Sequence, residues 1–201
     1  PIFSLGTWYP DGGFSGVADA MYRLCRELGV RFEFETEVEA IESGGGRVKG
    51  LRLNGGNGEA VSCDVVVANA DYPHVELELL DSADNSIKER RWRKKSLAPA
   101  VLNFYVALDR KLEGLAHHTF FFDSDWDVHF DAVYGKSPKW VERPLFYIHI
   151  PSVTDTHVAP EGGEVLYILI PAACGLEAPE KLREEYFRHT IARMEEHTGM
   201  D

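Results

Sequence analysis

Four short runs limit what the second half of this chain can fold into: "AVLNFYVALD" at 100–109, "HHTFFFD" at 117–123, "PLFYIHIP" at 144–151 and "EVLYILIP" at 164–171. Each is rich in β-branched and aromatic residues, which suit a pleated and half-buried surface. Irregular loops separate them, so the expected product is a mostly antiparallel sheet. Alternation sends roughly half of each strand to any one layer. Phe104, Tyr105, Phe120, Phe121, Phe122, Phe146, Tyr147 and Tyr167 are therefore divided between the two faces of the sheet, with ordinary core packing expected to claim most of them. Residues Pro179 to Thr198 close the chain as an amphipathic helix, with Leu182, Tyr186, Phe187, Thr190, Ile191 and Met194 on one face.

The first half has a different texture. Phe14, Val17, Ala18, Met21, Leu24, Cys25 and Leu28 fall at helical spacing, with Ser15 as the expected N-cap and Gly29 just past the end. Their hydrophobic content makes this a face expected to be buried. "VRFEFETEVEAIE" and "RVKGLRLN" alternate in period two around a glycine turn, and "GGNGEAV" turns the chain again, predicting two hairpins. "CDVVVANAD" is a continuous apolar run, the pattern of a strand buried on both faces in a parallel sheet. Short helices are expected around Val75 to Leu80 and Ser86 to Lys94, and composition shifts near residue 95.

Several classes of function are disfavoured. A net charge of −12 opposes binding to a phosphate backbone, so no nucleic-acid partner is expected. No apolar run approaches the roughly 18 residues that cross a bilayer. Cys25, Cys63 and Cys174 are odd in number and sit among apolar residues, which reads as reduced, buried thiols in a reducing, cytoplasmic setting. The chain opens on Pro1 and has no leader pattern, as expected of a piece of a longer protein.

Local motifs carry little chemistry by themselves. The glycines of "SGGGRVKG" and "GGNGEA" lie between strands and miss the dinucleotide fingerprint, so they read as hairpin turns. "DSDWDVHFD" begins a calcium-loop frame but has Val128 and Tyr134 where glycine and glutamate are required, leaving a solvated acidic loop. His117 and His118 are adjacent, and in a strand they would point to opposite faces, so no metal site is expected. Asp155 and His157 are expected to be solvent-exposed. Lys88, Arg90, Arg91, Trp92, Arg93, Lys94 and Lys95 form a basic cluster around an aromatic, readable as an exposed helix end or as a contact with an anionic membrane face.

Taken in order, "GTWYPDGGFSGVADAMYRLCRELGVRFEFETEVEAI", "GGRVKGLRL", "CDVVVANADYPH", "LAHHTFFF" and "IHIPSVTDTHVAPEGGEVLYILIPA" resemble the middle of carotenoid desaturases of bacterial phytoene dehydrogenase type. The resemblance implies an α+β / α/β fold like that of the flavin amine oxidases: part of an FAD-binding Rossmann-type sheet in residues 1–72, then a substrate domain with a mostly antiparallel mixed sheet in residues 73–201. It further implies that the backbone of Val38 meets the adenine of FAD, with Ala68, Asn69 and Ala70 approaching the cofactor from the next strand. "YPDGG" matches the family's turn near the flavin, which makes Gly12 and Gly13 candidates, with the role of aiming the chain rather than cradling the pyrophosphate. The implied reaction is hydride transfer from an apolar polyene or isoprenoid to FAD. Isomerisation or retinol-type saturation on reduced FAD, or a non-enzymatic carrier, are the alternatives. The glycine fingerprint and C-terminal segment that complete the family's flavin site are not in these residues, so FAD is not expected to stay bound to this piece, and no catalytic residue transfers by position.

Overall fold

The computed structural model describes residues 6, 8–54, 60–95 and 97–199. In chain order these form helix α1 (Gly13–Glu27), strands β1 (Val38–Gly44), β2 (Arg47–Leu53) and β3 (Ala60–Ser62), a single turn α2 (Tyr72–His74) running into a π-helical turn (Val75–Leu79), and the short α3 (Glu89–Trp92). The second half adds β4 (Ala100–Leu108), β5 (His118–Phe121), α4 (Trp126–Tyr134), β6 (Phe146–His149), a 3-10 turn (Pro151–Val153), β7 (Glu164–Ala172) and α5 (Glu180–Thr198). Two compact units result, Arg26–Ser96 and Pro1–Cys25 with Leu97–Asp201. The break coincides with the composition shift near residue 95, whereas the functional boundary implied by the resemblance lies at residue 72.

In the larger unit the four aromatic runs become the four strands, ordered β4-β7-β6-β5, with every neighbouring pair antiparallel. Alternation is strict in β6 and β7: Phe146 and Ile148 of β6 are buried while Tyr147 and His149 are half-buried. Leu166, Ile168 and Ile170 of β7 point the same way as Phe146 and Ile148, and α5 lays Tyr186 and Met194 over them. Each such side chain contributes on the order of 1.5–3 kcal/mol of burial. The Tyr186 hydroxyl donates to the Val141 carbonyl, and burial pushes that phenol up to about 12. Glu164, buried at the start of β7, accepts from Lys111 Nζ at 2.8 Å, the Leu112 N–H at 3.2 Å and Ser152 Oγ at 3.2 Å, so its charge is fully partnered.

The smaller unit is a three-stranded antiparallel sheet, β1-β2-β3. Gly44 pairs with Arg47, leaving Gly45 and Gly46 as a two-residue turn at φ +65° and +73°, where glycine is favoured because a side chain would be strained. The connection from β2 to β3 lies outside the described residues.

Several expectations fail here. The apolar face of α1 is exposed, with Phe14 at 84% and Leu28 at 75%. Val30 to Phe34 joins no ladder, and Glu35, at φ 53°, interrupts the run before β1 begins. Cys63 to Asp71 forms no strand, and Val67 is 89% exposed. A strand buried on both faces needs neighbours on both sides, and the described residues supply none. Ser15 does not cap α1; its hydroxyl donates to the Gly12 carbonyl from within the first turn, while Gly29 does close the helix at φ +85°. Cys174 is exposed rather than buried, and all three thiols are free.

Candidate functional site

The sheet face opposite α5 is aromatic. Tyr105 and Tyr167 sit opposite each other across β4 and β7 with ring centroids 5.2 Å apart, and Tyr105 is 81% exposed. Further along, Phe120 of β5 packs on Tyr147 of β6 at 5.0 Å. Phe122 continues the track 5.4 Å from Phe120, and Trp126 follows 4.5 Å from Phe122.

Helix α4 extends the track because of its cap and its spacing. The Asp125 carboxylate accepts from the Asp127 N–H at 2.9 Å and the Val128 N–H at 3.2 Å, which starts the helix immediately after the acidic pair. Trp126, Phe130 and Tyr134 then recur every four residues on one stripe and stack at 5.4 and 5.7 Å. Together with Leu145, Phe146 and Leu169 they enclose a cavity of about 560 Å³. "DSDWDVHFD" is therefore a capped helix, not a solvated loop. Its first aspartate, Asp123, is ion-paired with Arg193 and Arg143. The W-x3-F-x3-Y spacing was the available signal for this stripe.

His129 anchors α4 from below: it is buried, and its Nδ1 accepts from the Leu145 N–H at 2.8 Å. Burial lowers its pKa, only partly countered by the Pro171 carbonyl. Unfolded histidine binds a proton near pH 6.5, while the folded one resists until lower pH, so ionisation favours the unfolded state as pH falls. Stability should decline below about pH 6.5, by at most about 1.4 kcal/mol per pH unit from this residue. Urea unfolding from pH 7.5 to 5 should show that slope, and His129→Gln should flatten it.

A polar cavity of about 650 Å³ adjoins this face, lined by Trp8, Tyr9, Asp11, His117, His118 and the loop Thr154 to His157. His118 borders both cavities. Contrary to expectation, Asp155 is buried, accepting from the His157 N–H at 2.9 Å and the Tyr9 hydroxyl at 3.3 Å. The His157 N–H is the main cause holding its pKa below the usual carboxylate range. His117 and His118 also do not diverge. Strand β5 begins at His118, so the alternation rule does not reach His117, which lies in a bend with its Nε2 2.7 Å from His149 Nε2. Burial, then the neighbouring imidazoles, pulls the pKa of His117 and of His149 below the ordinary histidine value.

The cofactor candidates are divided between the two units. Val38 opens β1 and pairs with Leu53, on a strand at the edge of its sheet. Ala68, Asn69 and Ala70 are exposed and outside any ladder. Gly12 and Gly13, at φ +74° and +67°, form the turn into α1, where the Gly13 N–H donates to the Pro10 carbonyl at 2.9 Å. Val38 and residues 68–70 belong to one compact unit, Gly12 and Gly13 to the other. In the basic cluster, α3 is a single turn and Trp92 packs edge-on against Tyr72 at 5.2 Å, while Arg93 pairs with Glu89.

The sequence of this chain matches a known family. The model of the flavin containing amine oxidoreductases aligns with residues 2–194. The chain belongs to this family. A carotenoid 3,4-desaturase from Haloarcula japonica is 38% identical over 99% of this chain and 39% of its own length. A zeta-carotene-forming phytoene desaturase from Myxococcus xanthus is 37% identical over 83% of this chain and 31% of its own. An oxidoreductase structure from Methanosarcina mazei shares the fold, with a TM-score of 0.65 at 16% identity, covering 98% of this chain and 42% of that one. This chain therefore spans less than half the length of the relatives it matches. Membership implies a flavin. The backbone of Val65 to Ala70, outside any ladder among the described residues, and the small side chains of Ala68 and Ala70 fit close approach of such a cofactor.

Proposed function

We propose that this chain is the polyene-facing portion, with part of the cofactor-holding portion, of an FAD-dependent desaturase acting on a carotenoid or a related long isoprenoid. The observation that carries this reading is the continuous track of rings from Tyr147 through Phe120, Phe122, Trp126 and Phe130 to Tyr134, each step between 4.5 and 5.7 Å. A conjugated chain is flat, apolar and long, and an aromatic strip offers it stacking and water exclusion along its length. FAD bound to the whole protein would serve as the hydride acceptor. In this reading residues 1–72 serve the cofactor domain and 73–201 the substrate domain. The backbone of Val38 and of Ala68 to Ala70 would lie along the cofactor, and the Gly12–Gly13 turn would aim the chain past it.

The residues here would bind and orient the polyene and exclude water. Tyr147 within the track and Tyr167 on the same face, whose pKa values burial raises, remain neutral hydroxyls. The basic cluster would add electrostatic attraction to an anionic membrane face from the cytoplasmic side, without Trp92 as an inserted anchor, since that ring is packed against Tyr72.

The whole protein, purified, should carry a flavin whose visible absorbance bleaches when a less desaturated polyene precursor is added without oxygen. A retained flavin that never bleaches would overturn desaturation. Turnover only after prior reduction of the flavin would mark isomerase or saturase chemistry instead.

A further inference from the structure

His117, His118 and His149 come from two segments about thirty residues apart, yet one nitrogen from each lies within 4.8 Å of the others. Their rings are mutually close, at 4.5 Å for His117 with His118, 4.7 Å for His117 with His149 and 5.1 Å for His118 with His149. The cause is the register of the sheet, which places His118 directly opposite His149 in the β5–β6 ladder, while the bend before β5 turns His117 back over the pair.

We propose that these three histidines bind a single borderline divalent transition-metal ion, of the Zn²⁺, Co²⁺ or Ni²⁺ class. Neutral imidazole is the ligand type such ions prefer, and three protein ligands are the number found in open sites that keep a position for water. The surroundings already hold the rings as outer partners of metal ligands do. Thr154 Oγ1 donates to the Pro151 carbonyl and lies 2.6 Å from His117 Nδ1, so it accepts that N–H and leaves the Nε2 lone pair facing His149. The Tyr147 hydroxyl lies 2.6 Å from His118 Nδ1 and holds the second ring in place. The Nε2 atoms of His117 and His149, 2.7 Å apart, need to separate by only about 0.5 Å to share an ion at metal–nitrogen distances of about 2.0–2.1 Å. The polar cavity beside the cluster supplies water for the remaining positions, and the buried Asp155 carboxylate lies on the same cavity. Because His118 also borders the aromatic cavity, the ion would fix one end of the track. The proposal stands independently of the redox reading, because none of its ligands belongs to the cofactor segments.

The test is a Co²⁺ titration of tag-free protein, followed by visible absorption and displaced by Zn²⁺. One equivalent should bind with the bands of a four- or five-coordinate ion. His149→Ala and His118→Ala should each weaken binding by at least about tenfold, and Thr154→Val by about 10–100-fold through loss of the outer partner. His189→Ala, on the exposed side of α5, should leave the titration unchanged. Circular dichroism separates lost ligands from lost fold, and His118, being exposed, is the variant that keeps the question answerable if His149→Ala fails to fold. Absence of binding at micromolar concentrations, or equal affinity in the wild type and the folded His118→Ala variant, would overturn the site.

Discussion

Replacing Arg193 with alanine should lower the unfolding free energy by about 3–5 kcal/mol, because it leaves a largely buried carboxylate without its main partner. Arg193 sits on α5 with 7% of its side chain exposed, and it donates to both oxygens of Asp123 and, at 2.7 Å, to the Pro144 carbonyl. Its guanidinium also lies 4.7 Å above the Phe146 ring, so the substitution removes packing as well as charge. Burial by itself would raise the Asp123 pKa, but the hydrogen bonds from Arg193 and His197 and the Arg193 charge outweigh it and hold it well below the usual carboxylate range. The sign follows: the stabilisation is complete above the unfolded value near 3.9 and is lost as pH falls through the lower folded value. Guanidinium unfolding at pH 7 should show the full loss in the variant, and its remaining stability should depend less on acid than that of the wild type. The double substitution Arg193→Met with Asp123→Leu should recover part of the loss, since replacing a buried pair by apolar groups removes both desolvation costs. A single variant within about 0.5 kcal/mol of wild type would show that the pair is dispensable.

The second large effect concerns the ring track. Phe130→Asp should weaken binding of a detergent-dispersed polyene by at least about tenfold, because a carboxylate must then be desolvated against the ligand. Trp126 lies within the track, 5.4 Å from Phe130, and its fluorescence should be quenched as a polyene stacks there. Trp126→Phe should abolish most of the quenching without abolishing binding. Val128→Asp on the same helix is the control; Val128 does not line the cavity enclosed by the track, and its substitution should leave affinity unchanged. Phe130 is 46% exposed, so the fold should tolerate the charge, and a thermal melt checks this. Equal affinities for Phe130→Asp and Val128→Asp would remove the track from the binding site.

What could be read from the residues alone follows the range over which each signal acts. The strands β4 to β7 and helix α5 were legible because each carries its own periodicity, and the β1–β2 hairpin because Gly45 and Gly46 demand a tight turn. The aromatic face was half-legible: alternation divided Tyr147 from Phe146 but did not say which side would stay open. Helix α4 was missed because its acidic residues were weighed as a failed calcium frame, although Asp125 was acting as a cap. Val30 to Phe34 carries the alternation of a hairpin strand and Val65 to Ala70 the pattern of a strand buried on both faces, yet neither pairs with a strand among the described residues.

The sequence by itself determined strands β4 to β7, helix α5 and the family resemblance, because local periodicity and ordered motifs are properties of contiguous residues. Only the tertiary structure decided that His117, His118 and His149 converge, that Asp123 meets Arg193 seventy residues away, and that α4 completes the ring track. Those outcomes depend on strand register and on where a strand begins, and a displacement of one residue reverses the face of every side chain that follows.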